Sequence, residues 1–118
     1  MQTDPKGQPL IARLWKGTTQ ASKSEAYLQY LHETGVKGCR ATPGNRGVVV
    51  LRQIDGDHAH FLFASLWDSF EAIRRFAGPQ PEKAVYHPSD EAFLETLEPT
   101  VSHYEVAFAE WADDAESC

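Results

Sequence analysis

The stretch that decides the fold is His58-Ala59-His60-Phe61-Leu62-Phe63-Ala64-Ser65-Leu66-Trp67-Asp68-Ser69-Phe70-Glu71. Residues 58–67 contain no Gly or Pro and are dense in aromatic and aliphatic side chains, which predicts a strand. Asp68-Ser69 follows at once, with Glu71 shortly after, and this is the chemistry that opens a helix. Successive strand side chains point to opposite faces, so His60, Leu62, Ala64 and Leu66 share one face and Phe61, Phe63, Ser65 and Trp67 the other. Neither row has the polar character of a face that meets water. The strand is therefore expected to be covered on both sides.

Upstream, Asp55-Gly56-Asp57 is hairpin chemistry, and the β-branched run 48–54 supplies the partner strand after the turn Pro43-Gly44-Asn45-Arg46-Gly47. Earlier still, Ser22-Lys23-Ser24-Glu25 matches a capping box. The stripe Ser24, Tyr27, Leu28, Tyr30 and Leu31 predicts a helix stopped by Gly35. Residues 10–15 read as a first strand that ends before Gly17. Downstream, the helix begun at Ser69 stops at Gly78-Pro79, and a loop over 78–88 carries three prolines. Pro88-Ser89-Asp90 opens a third short helix through about Leu97, and 101–109 forms the last strand. The order is β-α-β-β-α-β, an α+β, ferredoxin-like plan with an antiparallel sheet. Its domain spans 9–109, between a flexible N-terminus at 1–8 and an acidic C-terminal tail at 110–118 that holds four acidic residues.

At 118 residues and 42% hydrophobic content, the chain suffices for one core. A net charge of −6 without a basic cluster argues against nucleic acid as a partner. No apolar run reaches the roughly 20 residues that cross a bilayer, and no secretory signal opens the chain, so a soluble, cytoplasmic protein away from membranes is expected. Cys39, expected on a strand, and Cys118 have no metal-binding spacing and are expected as thiols. His58 and His60 form an HxH pair that lacks an evident third ligand, so no metal is expected. Two helices cover one face of a four-stranded sheet and leave the other to a second copy, which predicts a homodimer.

The turn 43–47, the hairpin Asp55-Gly56-Asp57-His58, Leu66-Trp67-Asp68-Ser69-Phe70-Glu71-Ala72-Ile73, Phe76-Ala77-Gly78, Ala84-Val85-Tyr86 and His103-Tyr104-Glu105-Val106 together resemble the antibiotic biosynthesis monooxygenase superfamily. The resemblance covers about residues 9–108. It implies a dimeric α/β barrel with a pocket between sheet and helices in each subunit. It also implies a range of activities: cofactor-independent oxygenation of small aromatic, polyketide-like or quinol substrates, haem degradation, or non-catalytic ligand binding. Haem degraders of this kind place a tryptophan near Trp67 and an Asn on the first strand. Residues 10–15 contain no Asn.

Oxygenation without a cofactor needs a base to make an electron-rich anion, donors that hold the oxyanion, and apolar walls that exclude water. The expected catalytic residues are His87, in the proline-rich loop, and His103, on the last strand, as alternative bases, with Arg13 and Tyr86 as oxyanion donors. Trp15, His60, Phe63, Trp67 and Phe76 are the expected substrate-binding residues. Arg13 is also suited to hold a substrate carboxylate or phenolate.

Overall fold

The computed structural model describes residues 9–112. Segment 1–8, most of the expected acidic tail and Cys118 lie outside the described residues. β1 (Ile11–Gln20) runs through Gly17 instead of ending there. A β-carbon at position 17 would overlap the Trp15 indole, so glycine is what lets that ring lie along its own strand.

A short 3-10 turn, Ala21–Lys23, leads into α1 (Ser24–Leu31), and no side chain caps either start. The expected capping box is absent because its glutamate is engaged elsewhere: Glu25 and the Ser24 hydroxyl both accept from the Arg52 guanidinium, at 2.6 and 2.9 Å. Gly35 does not stop the helix. A π turn over His32–Val36 widens it, and α2 (Lys37–Arg40) continues it. The Thr34 hydroxyl donates to the Tyr30 carbonyl at 2.8 Å, giving that oxygen a partner within the widened turn. Cys39 is fully buried on α2, not on a strand.

β2 (Asn45–Asp55) and β3 (His58–Trp67) form the expected hairpin, with Gly56 at φ +59° and a register irregularity between Asn45 and Gly47. Ser69, not Asp68, caps α3 (Phe70–Ala77) by accepting from the Ala72 N–H at 3.1 Å. Asp68 pairs with Arg46. The last strand, β4 (Ser102–Glu105), is shorter than expected.

The sheet order is β2-β3-β1-β4, antiparallel throughout. Because β4 pairs with β1 only from Ile11 to Leu14, the Thr18–Thr19 edge is open to the loop. Leu94 bridges to Thr19, and the Glu95 N–H donates to the Thr18 carbonyl at 2.9 Å. The third helix accordingly shrinks to a 3-10 turn at Pro88–Ala92.

Arg13, Trp15, Phe61, Phe63, Ser65 and Trp67 turn toward the helices and are buried there with Tyr27, Leu31, Cys39, Ala72 and Ile73. The other face carries Ala12, Leu14, Leu62, Ala64, Leu66, Val49, Leu51 and Tyr104, and the helices do not cover it. Val49, Leu51 and Tyr104 remain 50, 52 and 57% exposed. Trp111 and Ala112 come near this face only at one end, beside Leu10 and Leu66. Among the described residues no helix is long and apolar enough to cross a membrane.

Candidate functional site

A cavity of about 40 Å³ lies between the sheet and the helices, and six of the expected site residues line it: Arg13, Trp15, Phe63, Phe76, Tyr86 and His87. β1 supplies the floor with Arg13 and Trp15, β3 supplies Phe63, and α3 supplies Phe76. The proline-rich loop closes one side with Val85, Tyr86 and His87. Tyr27, Leu31, Thr34, Gly35 and Asp90 complete the lining. Thr34 and Gly35 arrive on the π turn, a helix irregularity that often marks functional sites.

Arg13 is the unusual member. Its side chain is 5% exposed, yet no carboxylate pairs with it among the described residues. Nη2 donates to the Lys83 carbonyl at 2.8 Å and more distantly to that of Pro81 at 3.4 Å, while buried Nε has no partner. The guanidinium carbon sits 5.6 Å from the centre of the Phe76 ring. Burial lowers its pKa, as expected for a cation away from water. Nearby, burial pushes the Cys39 thiol up to about 12, against the opposing pull of Arg13 and of a hydrogen bond with Ser65. Cys39 is thus an inert core thiol.

Tyr86 is held in a chain: the Trp15 indole N–H donates to its hydroxyl at 2.9 Å, and that hydroxyl donates to the Glu98 carbonyl at 2.6 Å. Its single proton is engaged there, so in this arrangement it faces no oxyanion in the cavity. Its pKa is raised, chiefly by burial.

Asp90, which the sequence reading used only as a helix opener, is 4% exposed. It accepts from the Tyr27 hydroxyl at 3.3 Å and from the His87 N–H at 2.6 Å, and so fixes the loop against α1. Burial, and after it Asp90, raises the Tyr27 pKa, keeping that phenol a donor.

Three expected residues lie elsewhere. Trp67 is fully buried behind the cavity, tilted against Phe76 with ring centres 5.7 Å apart and donating to the Ser65 hydroxyl at 2.8 Å. His60 lies on the opposite sheet face, 3.0 Å from the Thr18 hydroxyl and 3.5 Å from Asp55, so it does not line this cavity. His58 pairs with Glu95 at 2.8 Å, and among the described residues no three His, Cys, Asp or Glu side chains form a group that could hold a metal ion.

His103 is the β4 partner of Arg13 and packs edge-on against Phe70 at 5.1 Å, outside the cavity lining. Its Nε2 is buried without a hydrogen-bond partner. Burial lowers its pKa, the positive charge of Arg13 lowers it further, and Glu82 opposes both. The folded protein therefore holds fewer protons at this site than the unfolded chain. Stability from this group is fully present above the unfolded value of about 6.5 and falls as pH drops below it toward the folded pKa. Urea unfolding of the parent and of His103→Phe between pH 7.5 and 5 should show the parent losing the larger share of its stability.

No protein-family model matches the sequence, and no curated protein matches it. Solved structures do. A candidate antibiotic biosynthesis monooxygenase from Bacillus cereus superposes with a TM-score of 0.63 at 13% identity, over 88% of this chain and 99% of that one. The fold is that of the antibiotic biosynthesis monooxygenases. The ActVA-Orf6 monooxygenase of Streptomyces coelicolor, in complex with nanaomycin D, matches at a TM-score of 0.56 and 15% identity, over 93% of this chain and 96% of that one. The haem degrader MhuD of Mycobacterium tuberculosis, with two haems bound, matches at a TM-score of 0.54 and 18% identity, over 86% and 99% of the two chains. At these identities the likeness concerns the fold, and the site has to be read from its own residues.

For haem, the cavity lining offers one histidine as an iron ligand, His87. At about 40 Å³ the cavity is smaller than the roughly 150 Å³ that admits a single benzene ring, so any ring ligand enters only if the Pro81–Lys83 backbone, held by Arg13, gives way. Of the two histidines expected as bases, only His87 lines it.

Proposed function

We propose that the chain is a cofactor-independent oxygenase that acts on a small aromatic or quinol-type substrate, with Arg13 holding the substrate oxyanion and His87 taking its proton. The observation that carries this reading is Arg13 itself, a buried cation with no carboxylate partner and an unpartnered Nε beside three aromatic walls. A buried charge left in that state is costly, and an anionic ligand is the group that would relieve it. Removing a proton from an acidic ring CH2 or hydroxyl makes the ring electron-rich, and the desolvated guanidinium stabilises that anion. Oxidation of a CH2 to a carbonyl by O2, with water as the second product, draws all four electrons from the substrate. Arg13 and Phe76 orient the ring, and the Pro81–Lys83 backbone, held by Arg13, has to yield for a ring to enter.

A second copy of the chain covers the open sheet face, so that the apolar rows of β1, β2 and β3 are buried between two sheets. A second reading is a non-catalytic dimer that binds ligand in the same place, favoured by Tyr86, whose hydroxyl proton goes to the Glu98 carbonyl instead of an oxyanion.

Oxygen uptake with a panel of phenols, hydroquinones and anthrones separates the two. At least one substrate should be turned over, with the rate falling about 100-fold in Arg13→Met, the scale of a lost oxyanion donor, and similarly in His87→Ala. Binding without uptake across the panel would leave the ligand-binding reading. Haemin added to the parent should give no Soret shift.

A further inference from the structure

The cavity holds two buried charges that do not neutralise each other. Arg13 rises from β1 and is 5% exposed; Asp90 comes from the 3-10 turn Pro88–Ala92 and is 4% exposed. No ion pair joins them, and Trp15, Phe63 and Phe76 line the same space. Arg13 retains a free donor at Nε. Asp90 retains acceptor capacity, because each oxygen receives one hydrogen bond, from Tyr27 or from the His87 backbone, and a carboxylate has about four lone-pair positions. The Tyr27 bond is long at 3.3 Å, so a better donor would compete with it.

The geometry points to a bipolar ligand: a single aromatic ring with an anionic group for Arg13 and a hydroxyl or amine donor for Asp90. This rests on the reading of the cavity as the ligand site, and it adds the substrate class. An anion alone would satisfy Arg13 and leave Asp90 as it is, whereas a ring with both groups meets two desolvated charges at once. The length of the ring sets which isomer reaches both.

The test titrates the parent protein with benzoate, phenol, 3-hydroxybenzoate, 4-hydroxybenzoate and the matching methoxybenzoates, following the Trp15 indole N–H resonance. One hydroxybenzoate should bind about ten-fold more tightly than benzoate, the scale of a charge-assisted hydrogen bond. Its methoxy analogue, which cannot donate, should lose that gain. In Asp90→Asn the hydroxybenzoate should lose its advantage over benzoate, and in Arg13→Met all the carboxylates should weaken. The methoxy comparison needs no variant, so the result stands even if Asp90→Asn folds poorly. Benzoate binding with no gain from a hydroxyl overturns the bipolar class and leaves the cavity reading intact. If no probe moves the resonance at millimolar concentration, both fall together.

Discussion

Replacing Leu51 with Asp should yield a folded monomer, whereas the parent protein, as the proposed dimer, should sediment at twice 13.2 kDa. Leu51 is 52% exposed within one chain and stands across from Leu62, in the middle of the uncovered apolar face. Within the chain it buries little, so its own fold should tolerate the change and the far-ultraviolet dichroism should be retained. In a symmetric sheet-on-sheet dimer the carboxylate appears twice at the interface. An unpaired charge taken from water costs several kcal/mol even after relaxation, so the dissociation constant should rise by about a thousand-fold or more. Sedimentation equilibrium over a range of concentrations reads this directly. A parent protein that is itself monomeric at about 100 µM, so that pairing is worth less than roughly 5.5 kcal/mol, would sink the proposed second copy.

How much of this was legible in the sequence depended on whether local chemistry decided the outcome. The β3 run and its Asp-Gly hairpin are legible to the residue, because alternation and turn chemistry act within a few positions, while the helix cap falls on Ser69, one residue after the Asp68 that the pattern indicates. Gly17 and Gly35 look like stops in the sequence and are not, for one shared reason. Glycine usually ends elements through its backbone freedom, but Gly17 is there to make room for Trp15, and Gly35 sits in a π turn at the cavity wall. Both are tertiary facts. Strand parity already separates His60 from the cavity, since residues 60 and 63 point to opposite faces and so cannot line one cavity. Asp90 was beyond reach: Pro88-Ser89-Asp90 carries a helix-opening signal, and nothing local says that this carboxylate turns inward to Tyr27. The absence of a carboxylate partner for Arg13 was equally hidden, because Glu105 was available on the neighbouring strand and only the structure shows it unused.

Trp67→Ala should cost about 3–5 kcal/mol, the usual range for emptying a large aromatic site in a core. Natural domains have only about 5–15 kcal/mol in total, so the variant should be partly unfolded near 37 °C, and a urea titration at 25 °C should show its midpoint shifted far down. Trp67→Phe keeps a ring against Phe76 but leaves the Ser65 hydroxyl without its donor, and should cost about 1–3 kcal/mol. The comparison separates two roles for this residue. A tryptophan placed to meet a bound ligand would be dispensable for folding, whereas one that is fully buried with its indole N–H on Ser65 is part of the core. The consequences reach the cavity by contact. Trp67 backs Phe76, and the Phe76 ring lies under the Arg13 guanidinium, so a cavity behind Phe76 lets that ring drop and removes the surface against which Arg13 is set. Trp67→Phe should therefore retain more ligand affinity than Trp67→Ala even under conditions where both are fully folded. A Trp67→Ala variant that unfolds at the parent's urea midpoint would show that the indole carries no core load.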